Sequence, residues 1–376
     1  MPRRSRTAAL TLASGVAVAS LVSGLLPALA APSQHQHPAT AARHQSPAAV
    51  AAATYLVRQL HGKQADHYVV KAGSQTFPDY GETADAVLSL DAAGVEQAAA
   101  RRMTGWLRSH AQDYAGTAPN FYPGSLAKLL LVAEAQHARV HHFGGINLIA
   151  ALQAAEGAGD GTAPGQYQNP GDTQFGSNVL VQSLAVIALA KHGGSATPDS
   201  AAVDFLGGQQ CSDGAFQVSV RTDPSAACES SSDDVDTTGY AIQALVAAGD
   251  HAQAVRAVHW LRQVQHKSGG WGETADAASD ANSTAIAIEG LLAAHRKVGG
   301  AVRWLERHQL GCGVRHPSRR GAVLLNGTKY DAATAVRATS QAGVPLAHQS
   351  LASVDGAGAT RGAAAPAGCA KRAHSK

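Results

Sequence analysis

The chain has 376 residues, 45% of them hydrophobic, which supplies a sizeable core and excludes disorder along the whole length. Charged residues make up only 15% and aromatics 5%, while glycine (39 residues) and alanine abound, so the core must rely on small side chains packed closely, as helices on helices do. The net charge is +3, but Arg3, Arg4 and Arg6 stand in an acid-free start, leaving 27 basic residues against 27 acidic, and this balance gives no electrostatic case for nucleic acid.

Residues 1–30 have the three parts of a secretory signal: the basic opening Pro2-Arg3-Arg4-Ser5-Arg6, an apolar run from Ala8 to Leu26, and the small-x-small ending Ala28-Leu29-Ala30. Cleavage after Ala30 is expected. An uncleaved anchor is the alternative, although Ser14, Gly15, Ser20, Ser23, Gly24 and Pro27 dilute the run. No later segment has the length and apolarity of a span, so the mature protein is expected outside the cytoplasm, secreted or wall-associated, with no stable membrane span. Residues 31–46, with Pro32, Pro38, His35, His37 and His44, read as a flexible leader.

From residue 47 to 345 one pattern repeats: a helix with apolar residues three and four apart, a polar loop, then a helix apolar on nearly every side. The first three copies are faint. Tyr55-Leu56 leads to Tyr80-Gly81-Glu82-Thr83 and the helix Ala84 to Leu90; Trp106-Leu107 leads to Tyr122-Pro123-Gly124-Ser125 and Leu126 to Ala135; Ile146 to Ala155 leads to Phe175-Gly176-Ser177-Asn178 and Val179 to Ala190. The fourth and fifth share an ungapped motif, Phe205-Leu206 with Gln210 and Gly214-Ala215-Phe216, and Trp260-Leu261 with Gln265 and Gly269-Gly270-Trp271. The sixth, Trp304-Leu305 with Gln309 and Gly311, has lost its end. Glycines at Gly94, Gly193-Gly194, Gly249 and Gly299-Gly300 are expected to stop the second helices.

A helix apolar all round must lie in an inner layer, with the first helices of the pairs wrapped outside it. Six such pairs are expected to curl until the last meets the first, an all-α (α/α)6 toroid with inner and outer layers. Residues 346–376 read as an Ala/Gly-rich tail. Cys211, Cys228, Cys312 and Cys369 fit an oxidising compartment; of three pairings, Cys211–Cys228 with Cys312–Cys369 is favoured, the second bridge pinning the tail. No CxxC spacing supports zinc, and no cofactor is expected.

The motif from Trp260 to Trp271, and from Phe205 to Phe216, resembles the QW repeat of squalene and terpene cyclases. The chain thereby resembles the α/α-toroid superfamily that also includes protein prenyltransferase β subunits and cobalamin carriers. More narrowly, Phe77-Pro78-Asp79-Tyr80-Gly81-Glu82-Thr83-Ala84-Asp85 is similar to the opening of exported actinobacterial proteins with prenyltransferase and squalene oxidase repeats. The resemblance implies that the inner helices run the same way, so that their N-termini gather at one mouth.

Polar and aromatic residues at that mouth are the candidate ligand-binding set: Tyr80, Glu82, Asp85, Tyr122, Ser125, Phe175, Asn178, Trp271, Glu273, Asn282, Tyr330 and Asp331. Helix capping by Asp236, Asn282 and Asp331, and corner filling by the aromatics, is the competing structural role. One segment departs from its repeat. Asp233-Asp234-Val235-Asp236-Thr237-Thr238 concentrates three carboxylates and resembles the acidic DxDD element of class II terpene cyclases, whose middle aspartate protonates an alkene or epoxide. The resemblance makes Asp236 the proton donor and Asp234 its helper, with Thr237 replacing the last aspartate. Lacking a complete catalytic set, the chain is expected to be a secreted, non-catalytic toroid that binds an apolar or amphipathic small molecule, or a cell-surface partner, at the mouth. A cyclase-like enzyme and a wall-associated structural module are the alternatives.

Overall fold

Residues 45–157, 162–170, 178–221, 223, 225–327 and 329–360 are described by a computed structural model, all within the second of the two units, Met1–Ala41 and Ala42–Lys376, into which the chain divides. The expected signal segment lies outside them. Six inner helices, α2 (Tyr80–Ala93), α5 (Pro123–Ala135), α7 (Val179–His192), α9 (Val235–Ala248), α11 (Ala281–Ala293) and α13 (Ala332–Leu346), each follow an outer one: α1 (Pro47–Gln59), α3 (Gln97–Ser109), α6 (Leu148–Ala154), α8 (Ser200–Gly208), α10 (His251–Gln263) and α12 (Gly299–His308). A further short helix, α4 (Ala111–Ala115), sits between α3 and α5. Among the described residues no helix is long and apolar enough to cross a membrane.

The two layers follow from the side chains. In α7 every residue from Val181 to Leu189 is buried, whereas α12 buries only Ala301, Val302, Trp304 and Leu305 and turns Arg303, Glu306 and Arg307 outward. Each inner helix packs on the next, and α13 packs on α2, so the ring closes as the repeat pattern implied. Small residues set the spacing. A Cβ on Gly239 of α9 would lie 2.8 Å from the Ile286 carbonyl oxygen of α11, and one on Gly290 of α11 would lie 2.8 Å from the Gly239 carbonyl oxygen. The two backbones therefore touch, which only glycine permits.

The loops between layers repeat as well. Gln210, Gln265 and Gln309 each donate from Nε2 to a carbonyl oxygen of the following turn, those of Gly214, Gly269 and Gly321, at 3.2, 2.8 and 3.1 Å. Thr83, Thr238, Thr284 and Thr339 each accept a loop amide at 2.9–3.0 Å, from Tyr68, Phe216, Trp271 and Val323. In the third unit Gln182 accepts the Tyr167 amide at 2.8 Å in the same way. These bonds satisfy loop amides that would otherwise be buried without partners.

Three features differ from expectation or add to it. Gly94 (φ 69°) and Gly249 (φ 87°) end α2 and α9 in the left-handed conformation and Gly193 ends α7, but α11 stops earlier, at Ala293, and Gly299 opens α12 instead of closing its predecessor. Two small antiparallel hairpins decorate the helices: β1 (Tyr68–Ala72) with β2 (Gln75–Asp79), and β3 (Gly116–Thr117) with β4 (Asn120–Phe121). The expected tail does not begin at 346. Residues 347–360 cross the C-terminal end of the ring, where the Leu351 amide donates to Gln243 Oε1 of α9 (3.0 Å), Gly356 to the Ala135 carbonyl of α5 (2.9 Å) and Thr360 to that of Gly94 (3.0 Å). Lys191 Nζ, from α7, donates to the carbonyls of Ala352 and Val354 at 2.9 and 2.6 Å.

Cys211 and Cys228 form a disulfide across a separation of 17 residues. Cys312 is also disulfide-bonded, and Cys369, its expected partner, lies outside the described residues.

Candidate functional site

The inner helices begin on one side of the ring, and five of the six starts carry a side-chain cap. Asp79 accepts the Glu82 amide (2.9 Å), Asn178 that of Val181 (2.7 Å), Asp234 that of Thr237 (2.6 Å), Asp280 those of Asn282 and Ser283 (2.9 and 3.0 Å), and Asp331 that of Ala333 (3.0 Å). The sixth, α5, opens on Pro123, which has no amide hydrogen to satisfy, after an uncapped and exposed Tyr122. Two caps therefore stand two residues before the expected ones: Asp234 caps α9 in place of Asp236, and Asp280 caps α11 in place of Asn282.

Released from capping, Asp236 and Asn282 sit in the first turns of their helices. Each has a buried Oδ1 without a hydrogen-bond partner, and Glu82 has a buried Oε1 in the same condition. Glu82 and Asn282 line a cleft of about 710 Å³ together with Asp79, Thr334 and Arg337; β1 forms the facing wall from Tyr68 to Lys71, and Leu325 and Val336 add apolar surface.

The other expected ligand-binding residues have structural contacts. Tyr80 stacks on Trp106 and Tyr114, with ring centroids 5.1 and 5.3 Å apart. Asn178 and Asp331 are caps, and Glu273 is exposed, its carbonyl accepting the Val235 amide at 2.8 Å. The Tyr330 hydroxyl lies 3.2 Å from that of Tyr55, and the Arg319 guanidinium covers its ring. Trp271 corrects the sequence reading most clearly: it is fully buried and donates from Nε1 to the Leu261 carbonyl at 2.7 Å, so it belongs to the scaffold and presents nothing to a ligand. Phe175 lies outside the described residues.

Electrostatics single out two carboxyls. Burial raises Asp236 from an ordinary 3.8 to about 7, with Asp234, Asp280 and Glu273 adding like charge and a hydrogen bond from Ser283 opposing. Burial likewise raises Glu82 to about 7; Asp85 and Asp79 push the same way, while Ser340 and Arg337, whose Nε is 3.7 Å from Oε2, pull back. Both groups exchange protons near neutral pH, the condition for a general acid.

Deeper in the ring lies a polar group that the sequence reading did not assemble. Asp85 forms an ion pair with Lys128 at 2.8 Å. Burial lowers the Lys128 ammonium, but Asp85, Tyr114 and Tyr240 outweigh it and the net shift is upward. Burial raises Tyr240 and Glu289, and Glu289 Oε2 accepts from Gln243 Nε2 at 3.3 Å. A signal for this layer existed. Counting six residues from each inner helix's N-cap residue gives Asp85, Lys128, Leu184, Tyr240, Ile286 and Arg337, an equivalent position in every helix, of which Arg337 alone is exposed.

Among the described residues no cluster of His, Cys, Asp or Glu is arranged to hold a metal ion. The A-macroglobulin TED domain model matches residues 217–293. No curated protein matches the sequence significantly. The type II terpene cyclase MstE from Scytonema, in a variant complexed with geranylgeranyl dihydroxybenzoate, is similar in structure with a TM-score of 0.57 at 15% identity, over 82% of this chain and 97% of that one. A protein from Actinoplanes is similar at 0.55 and 15%, over 82% and 100%. A possible member of the GH105 family from Salmonella enterica is similar at 0.50 and 14%, over 85% and 97%. The closed double ring and these likenesses together establish that the chain has the α/α-toroid fold of the type II terpene cyclases, as its repeats implied.

Proposed function

We propose that the mouth formed by the inner-helix N-termini binds an amphipathic small molecule. The observation that carries this reading is the cleft of about 710 Å³, with Val69, Val70, Leu325 and Val336 on its walls and the partnerless oxygens of Glu82 and Asn282 among its lining. That volume is in the range of small-molecule sites, about 300–1,000 Å³. Replacing Asn282 by Trp fills the cleft from one side. Native mass spectrometry of protein from its host should find a retained small molecule in the wild type and none in Asn282→Trp; a mass that survives the substitution, or no mass in either, counts against the reading. Export to an oxidising compartment is part of the proposal, supported by the Cys211–Cys228 bridge.

A second reading is acid catalysis of a cyclase kind, favoured by Asp236. Its carboxyl is buried, sits beside Asp234, keeps Oδ1 unpartnered and is held near 7, so at neutral pH a large fraction carries the proton that an alkene would take. The carboxylate left behind would be stabilised by Ser283. Geranylgeranyl dihydroxybenzoate, which the Scytonema cyclase binds, is the probe substrate. Turnover in the wild type that is lost in Asp236→Asn with the fold intact supports the enzyme; no turnover in the wild type removes this substrate from consideration.

A further inference from the structure

The unsatisfied groups at the mouth are all of one kind. Glu82 Oε1, Asp236 Oδ1 and Asn282 Oδ1 are acceptors, each buried and each without a donor. Glu82 is only 6% exposed, yet it lines the cleft. A buried acceptor left unpaired is costly, more so when charged, and the two that line the cleft, on Glu82 and Asn282, mark a place where donors arrive from outside.

The charges have a sign as well. Asp79 and Asp85 of α2 act on Glu82, against Arg337 of α13. Asp234 of α9, Asp280 at the start of α11 and Glu273 of the preceding loop add like charge at Asp236. Lys71 of β1 and Arg337 stand on the cleft wall, and Arg337 is 61% exposed and 3.7 Å from Glu82, a loose pair that leaves Oε1 unserved. Lys128 is engaged by Asp85. Carboxylates thus stand close to both Glu82 and Asp236, and the six helix N-termini are already met by five caps and a proline.

We propose that the cleft receives the ammonium head of an amphipathic amine, its N–H groups donating to Glu82 and Asn282 and its charge compensating Glu82. This inference rests on the binding reading above and narrows its ligand to one chemical class. A cation placed there favours the ionised Glu82 carboxylate, so binding near pH 7 must expel protons.

Three probes with the same tail separate the two claims: octylammonium, octanol and octanoate, titrated calorimetrically into the full chain. Octylammonium should bind about tenfold or more tightly than octanol, octanoate more weakly than either, and the heat of octylammonium binding should vary with the ionisation enthalpy of the buffer as protons leave. In Glu82→Gln the preference for octylammonium over octanol should fall to within about threefold and the proton release should disappear, with circular dichroism reporting an intact fold. If octanol and octanoate bind as well as octylammonium, or if octylammonium binds without proton release, the mouth still binds amphiphiles and the ammonium assignment is wrong. If none of the three binds, the binding reading itself fails and takes the assignment with it.

Discussion

Asp236 offers a test in which stability, not turnover, is read. Its carboxyl is raised from 3.8 to about 7, chiefly by burial, and each unit is about 1.4 kcal/mol of preference for the neutral form. Because the folded state keeps this proton after the unfolded chain has released it, stability falls as pH climbs from about 4 to about 7 and stays lower above. The stability withheld at pH 8 is at most about 4 kcal/mol by this arithmetic. Asparagine cannot ionise and has nearly the same shape, so Asp236→Asn should match the wild type at about pH 4 and exceed it increasingly toward pH 8. Urea unfolding followed by circular dichroism at pH 4, 6 and 8, with disulfides intact, gives the difference directly. Asp234→Ala is the contrasting variant: it removes a cap and should cost about 1 kcal/mol. A stability difference between Asp236→Asn and wild type that does not change with pH would falsify the account of Asp236 as a buried acid held away from its ordinary range.

The remaining predictions concern the frame. Gly239→Ala or Gly290→Ala forces a Cβ to 2.8 Å from a facing carbonyl oxygen and should lower stability by about 1–3 kcal/mol, seen as a depressed melting temperature. Thr284→Val leaves the buried Trp271 amide without its 2.9 Å acceptor, an expected loss of about 1–3 kcal/mol with faster hydrogen exchange at that amide. Lys191→Met removes both donors to Ala352 and Val354, and should speed exchange across residues 349–360 while the inner helices stay protected.

The architecture was legible because the repeat carries its own redundancy. A stretch apolar on nearly every side, such as Val179 to Ala190, has one place to go, and six of them imply a layer. The glutamine after the last three outer helices was visible as a fixed position, and its bond to the next turn shows why the spacing recurs. The site was less legible. Asp, Asn and Ser crowd every helix start, and composition does not say which one caps; the choice falls on whichever residue has extended backbone, Asp234 at ψ 126° and Asp280 at ψ 167°, which periodicity does not reveal. Lys128 and Tyr240 escaped notice because each looks like a lone polar residue in its own helix, and meaning comes only when the six helices are superposed by their caps. The folded role of residues 347–360 was hidden by a composition of Ala, Gly and Ser that elsewhere signals a loose end.

The contact of α13 with α2 joins residues near the two extremities of the folded unit, with α1 lying against both helices. No hairpin is therefore terminal in space, and none needs a polar outer face of the kind that ends an open array. A chain shortened by its last hairpin would bare one flank of α2 and one of α11, two apolar seams at once, so assembly should be all-or-nothing with respect to hairpin number. It also means that the first hairpin stays unsealed until the last has formed, so folding should be slowed by this distant contact although most of the core comes from helices.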